Sequence, residues 1–227
     1  MTDTNHYERT KTFFRRSALE RKGYYDAKPG EPLKHNRWQP IIRKMILKVL
    51  DQLLKENSGN LSTLIDVGCG KADFALEIAR RYPNFTLIYG TDFSRETLSI
   101  AREETKEFEQ INICEANLLE LPFEDRKFDI TICVNVLHHI HQNDLPRAIE
   151  QLSRITRKYL IMEIKNDDNF YYHYIHPKTF SGITVYLTSV RQLNPLLKGC
   201  GFRLKKQKGI FVFNRLSPLV MPIYERV

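Results

Sequence analysis

The chain has 227 residues, 42% of them hydrophobic and 27% charged, with a formal net charge of +8. That is enough apolar material for one α/β domain with an accessory segment, and too little chain for two independent domains. No run of about eighteen apolar residues occurs and the polar N-terminus lacks the apolar stretch of a signal peptide, so a cytoplasmic location is expected. Cys69, Cys114, Cys133 and Cys200 are dispersed, with no Cys-x-x-Cys pair. They predict reduced, mostly buried thiols and neither a metal site nor a disulfide framework.

In chain order, helices are predicted at about 5–22 and 39–56. The second starts beside Pro40 and repeats apolar Ile42, Met45, Ile46, Val49, Leu50, Leu53 and Leu54 at helical spacing. A strand at 63–67 runs into Leu-Ile-Asp-Val-Gly-Cys-Gly-Lys-Ala-Asp at 64–73. Gly68 and Gly70 permit backbone angles closed to other residues and close approach of a ligand, while Ala72 holds the third small position. On this spacing alone a dinucleotide site is equally open. A second strand, Thr86 to Asp92, ends in an acid suited to ribose hydroxyls, although Asp92 could also serve the helix that begins near Ser94. A third strand, 111–114, leads to Asn117-Leu-Leu-Glu-Leu-Pro-Phe123, where Asn117 could simply make a turn. A fourth, 128–135, ends in Val-Leu-His-His-Ile140, and a fifth spans 159–164. A helix near 188–199 closes at Gly199 or Gly201, a left-handed cap, and strands at about 203–214 and 219–226 finish the chain. The alternation implies a mostly parallel sheet covered on both faces.

With Asp-x-Gly-x-Gly, the acid after the second strand, the Leu-Pro-Phe turn and Phe-Asp opening the fourth strand in this order, residues 60–165 resemble class I S-adenosylmethionine-dependent methyltransferases. The resemblance implies a doubly wound, Rossmann-like, mostly parallel seven-stranded sheet with a helical N-terminal arm. It divides the chain into an arm at 1–58 and a cofactor domain at 59–227 that carries a substrate-loop insertion at about 166–187. It puts the methionine end of S-adenosylmethionine against Asp66, Gly68, Cys69 and Gly70, the ribose on Asp92 and the adenine on Phe93. Asn117 and the backbone of Leu118 would read the edge of the base, and Asn135, closing the fourth strand, joins this set. Two positions depart from the family pattern, Asn117 for its aspartate and Ala72 for its third glycine.

Two regions outside the common core are expected to decide the acceptor. The arm carries Tyr25, Arg37 and Trp38, in a pattern similar to ubiquinone/menaquinone-type methyltransferases, and is expected to capture acceptor or close a lid rather than build the sheet domain. The loop at 170–180 carries Tyr171, Tyr172 and His173, and loops past the carboxyl ends of parallel strands line the ligand crevice. Both aromatic groups have packing as the plain alternative. If the acceptor loses a proton, His138 is the first candidate base, before His139, His141, His173 and His176. Residues 1–60 hold thirteen Lys and Arg against seven Asp and Glu, so +6 of the +8 charge sits there. Such a surface suits RNA, an anionic lipid surface, an acidic substrate or plain solvation. The Asn/Asp-Pro-Pro-Tyr/Phe motif of base-nitrogen methylation is lacking, since Asn135 is followed by Val136, Leu137 and His138. The expected activity is methyl transfer to a small apolar or aromatic acceptor, with peripheral membrane contact left open. The alternatives are an RNA methyltransferase and a noncatalytic cofactor-binding partner subunit.

Overall fold

A computed structural model describes residues 4–20, 39–175, 179–180, 183–211 and 217–227. The chain forms two compact units, Lys11–Ala116 and Asn117–Val227, the latter with the start of the chain as far as Thr10. Helix α1 (Thr4–Leu19) is therefore shared between them. The arm boundary expected at 58 lies inside the first unit, and Tyr25, Arg37 and Trp38 lie outside the described residues.

In the first unit, α2 (Gln39–Glu56) buries Ile42, Ile46, Leu47, Val49, Leu50 and Leu53. Met45 and Leu54, predicted on that stripe, lie at its half-buried margin, and Leu47 is buried beside it. Strands β1 (Thr63–Val67), β2 (Leu87–Asp92) and β3 (Ile111–Glu115) are parallel in the order β3-β2-β1. Helices α3 (Asp73–Arg81) and α4 (Arg95–Thr105) make the crossovers. The register sets Asp66 opposite Gly90 and Gly90 opposite Ile113.

In the second unit, β4 (Phe128–Cys133) is buried at every residue, as a central parallel strand covered on both faces must be. Through α5 (Leu145–Ile155) it connects to β5 (Thr156–Met162), its parallel neighbour. The fifth predicted strand breaks at Glu163, and its end pairs separately as β6 (Ile164–Lys165). The predicted insertion contains a π-helical turn at Tyr171–Ile175 and a short hairpin, β7 (Thr179–Phe180) with β8 (Ile183–Thr184). Helix α6 (Val190–Gly199) starts in a reciprocal capping box between Ser189 and Gln192. Of the two glycines considered for its end, Gly201, with φ 80°, takes the left-handed conformation. Strand β9 (Phe202–Gly209) stops short of the predicted 214, and it pairs antiparallel with β10 (Leu219–Arg226), which pairs antiparallel with β5. Among the described residues no helix is long and apolar enough to cross a membrane.

Candidate active site

The turn after β1 is held in an unusual backbone path, with φ of 82° at Gly68, 57° at Gly70 and 63° at Ala72. Gly68 N and Cys69 N both donate to Thr91 O, at 2.7 and 2.8 Å, so the turn is fastened to the end of β2. Asp92 fastens it again: Oδ2 accepts from Gly70 N at 3.1 Å while Oδ1 accepts from Ser94 N at 3.0 Å. Ser94 caps α4, its Oγ accepting from Thr97 N at 3.3 Å. The place foreseen for Asp92 at the helix start is thus joined by an anchor on the turn that was not foreseen, and the carboxylate keeps lone-pair capacity for a ligand. Burial raises the Asp92 pKa, opposed by the amides of Ser94, Gly70 and Phe93. Gly90 is required beneath the turn, because a Cβ there would stand 2.8 Å from Ile113 Cδ1 and 3.0 Å from Cys69 Sγ.

The Cys69 thiol is buried, and burial followed by the charges of Asp66 and Asp92 drives its pKa well upward, which leaves it protonated. Asp66 is 5% exposed, and its carboxylate has no hydrogen-bond partner among the described residues. Burial, with a smaller push from Asp92 and against the pull of Arg43, takes its pKa up to about 7. That Arg43 also pairs with Asp73, its Nη2 3.5 Å from Oδ2, where Lys71 Nζ stands at 3.6 Å. Phe93 is half-buried and meets the Phe14 ring edge-on, centroids 6.1 Å apart.

In the second unit Asn117 is exposed, and its Oδ1 accepts from Leu119 N at 2.9 Å, so the side chain shapes its own turn. Leu118 is buried. Asn135 is left-handed, with φ 59°, and its N–H donates to Glu163 Oε2 at 2.9 Å. The 3-10 turn Leu137–His139 follows. His138 is buried, with Nδ1 lacking a partner among the described residues. Burial, then the charges of His139 and Lys165, hold it well below its ordinary pKa, and the His139 pKa falls to about 3. Such an imidazole stays neutral, displaced from the near-neutral pKa that proton abstraction favours.

The start of α1 is seated on the segment that follows this turn. The His6 ring nitrogen Nε2 lies 2.8 Å from His139 O, and Tyr7 Oη donates to Asp144 Oδ2 at 2.9 Å while accepting from His141 N at 3.2 Å. The arm thus has a structural share in this unit, which its charge pattern did not announce. Of the three loop residues, Tyr172 is buried, whereas Tyr171 is 50% exposed and His173 is exposed, its Nδ1 2.8 Å from Asp167 Oδ1. Sequence reasoning missed Glu163 and Lys165. Their signal was present as an acid and a base interrupting the apolar run Tyr-Leu-Ile-Met-Glu-Ile-Lys.

Residues 64–159 match the family model of a methyltransferase domain. A 2-phytyl-1,4-naphtoquinone methyltransferase of Trichormus variabilis is 37% identical over 98 residues, 42% of this chain and 42% of that protein. A demethylmenaquinone methyltransferase of Bacillus licheniformis is 40% identical over 96 residues, covering 42% of this chain and 40% of its own. The chain therefore spans less than half the length of the curated relatives it matches. The crystal structure of magnesium protoporphyrin IX methyltransferase from Synechocystis PCC 6803 with bound SAH superimposes with a TM-score of 0.72 at 17% identity, covering 97% of this chain and 100% of that one. The N-methyltransferase NodS from Bradyrhizobium japonicum, also solved with S-adenosyl-l-homocysteine, gives 0.67 at 14% identity over 96% and 98%. At these identities the likeness is one of fold. Residues 64–159 thus match a methyltransferase domain, and the fold is the one shared by these solved methyltransferases.

Proposed function

We propose that this chain transfers a methyl group from S-adenosylmethionine to a small apolar or aromatic acceptor. The observation that carries the reading is Asp66, a buried carboxylate without a hydrogen-bond donor, one strand away from the doubly anchored Asp92. An unpaired buried acid calls for a cationic or donor ligand. The α-ammonium group of S-adenosylmethionine answers that demand, the ribose hydroxyls answer the remaining lone pairs of Asp92, and the left-handed turn through Gly68 and Gly70 leaves backbone open beside them. Cys69 would contribute packing, and Phe93 an apolar face for the adenine. Because the Asn117 oxygen already serves Leu119, the Leu118 backbone would carry more of the contact with the base edge. Asn135 would join the cofactor-binding set.

When bound, S-adenosylmethionine supplies a methyl group on a sulfonium centre, already a strong electrophile. The protein's part is alignment, worth about 7 kcal/mol or more when nucleophile and methyl are held as a near-attack pair. On the acceptor side, Tyr172 offers a buried aromatic surface, and Tyr171 and His173 an exposed margin. Neutral His138 would orient a polar group of the acceptor through Nδ1. Tyr25, Arg37 and Trp38 remain candidates for acceptor capture. The quinone acceptors named for the relatives suggest the acceptor class, and the +8 charge suits a cytoplasmic protein that meets an anionic lipid surface. Transfer of labelled methyl from S-adenosylmethionine to 1,4-naphthalenediol tests the reading. A preference for a nicotinamide nucleotide in binding calorimetry would defeat it.

A further inference from the structure

We propose that Glu163 accepts a hydrogen bond from a hydroxyl or amine on the methyl acceptor, and thereby selects the reduced, hydroxyl-bearing form of a quinone-like ring over its carbonyl form. This rests on the methyl-transfer reading for the nature of the acceptor.

Glu163 is 1% exposed and sits at the break between β5 and β6. Its N–H donates to Cys133 O at 3.0 Å, which puts the side chain at the carboxyl ends of β4 and β5, where parallel sheets receive ligands. The two carboxylate oxygens are used differently. Oε2 accepts from Asn135 N and so supports a left-handed, non-glycine residue, whereas Oε1 is buried with no partner among the described residues. A buried oxygen of this kind is rarely left without a donor in a native site. Two groups are coupled to its charge, and a third lies on the neighbouring turn. Lys165 makes no ion pair with it among the described residues, yet its charge favours the carboxylate form against burial. The Tyr172 phenol feels the Glu163 charge, and burial holds it protonated with a pKa of about 12. His138, on the turn against which β6 packs, presents the second unpartnered polar atom, Nδ1, and is also under the influence of Lys165. An acidic acceptor and a neutral imidazole, each with an unpartnered buried atom in the same unit, suit a ring that carries polar hydrogens.

Because Asn135 N can only donate, the atom at the Oε2 position must be an oxygen. In Glu163→Gln the amide oxygen is held there and the NH2 group turns into the Oε1 position, which converts an acceptor into a donor. Anaerobic calorimetry with S-adenosylhomocysteine present should then show the wild type binding 1,4-naphthalenediol at least roughly tenfold more tightly than 1,4-naphthoquinone, the scale of one hydrogen bond to a charged group. Glu163→Gln should reverse the preference. Glu163→Asp, which withdraws the free oxygen, should abolish it without reversal and serves should the glutamine variant not fold. Equal affinities in the wild type, or an unchanged ratio in a folded Glu163→Gln protein, overturn the proposal even if the wild type methylates the diol. Reversed binding preference without any methyl incorporation upholds the Glu163 site and overturns the methyl-transfer reading instead.

Discussion

Asp66 offers a sharp test of the cofactor site, because its carboxyl is nearly half protonated at neutrality without ligand and must ionise to pair with an ammonium. With its pKa up to about 7 in the folded protein, the ionised fraction is about one half at pH 7, about one eleventh at pH 6 and about one hundredth at pH 5. An α-ammonium of pKa about 7.8 stays largely charged over that range. Affinity for S-adenosylmethionine should therefore drop about fivefold from pH 7 to pH 6, a little under 1 kcal/mol, and about ninefold more by pH 5. Calorimetry at pH 6 in two buffers of different ionisation enthalpy should register the release of about 0.9 proton per ligand bound. Above pH 8 the ligand loses its own charge, so the profile bends downward on both sides. Asp66→Asn should bind more weakly at neutrality and show a flat profile between pH 5 and 7. The ligand-free protein carries the opposite signature. A carboxyl whose pKa is raised on folding contributes stability that is complete below its unfolded value and is lost as the pH climbs through about 7. Asp66→Asn should accordingly melt above the wild type in alkaline buffer. A flat wild-type affinity profile, or an unchanged slope in Asp66→Asn, would refute the pairing.

Three further outcomes follow from packing. Gly90→Ala should destabilise by about 1–3 kcal/mol and also weaken cofactor binding, because the new methyl presses on Cys69 Sγ in the turn as well as on Ile113; melting curves and calorimetry separate the two effects. Ala72→Gly should leave stability within about 1 kcal/mol of wild type, since relief of a left-handed alanine is offset by chain entropy and a lost buried methyl, and should leave binding intact. Tyr7→Phe removes both hydrogen bonds of the phenol, to Asp144 and from His141, and should cost about 1–3 kcal/mol in thermal or urea unfolding.

The parallel elements were legible because their signals are local and agree: apolar runs of strand length, glycines at turns, an acid at a strand end. Asp92 was foreseen at the helix start, where Oδ1 accepts from Ser94 N, whereas its hold on Gly70 N through Oδ2 was not, because that contact depends on the fold of the turn after β1. Asn117 could not be resolved from sequence, because the same side chain suits a turn and a base edge, and only the distance to Leu119 N shows which bond is made. Glu163 was passed over for a different reason. An isolated acid in an apolar strand reads as an edge or an error of pattern until the break after Met162 is seen, and its second oxygen gains meaning only from the absence of a neighbour. Burial keeps His138 and His139 neutral, and spacing carries no information about burial. His6 and Tyr7 are partnered with residues more than 130 positions away, a separation that no periodicity reports.

The double anchorage of Asp92 bears on how substitutions there are to be interpreted. One side chain bolts the loop after β1 to the start of α4, so any ligand that draws on its charge also draws on the amides of Gly70 and Ser94. Loss of affinity in Asp92→Ala would mix a missing ligand contact with two released loops, and the two contributions are inseparable at that position. For the same reason a ligand seated on Asp92 need not touch α4 to be registered there. Recognition and scaffold share a single carboxylate, and the fold admits no version of this site in which one could drift while the other is kept.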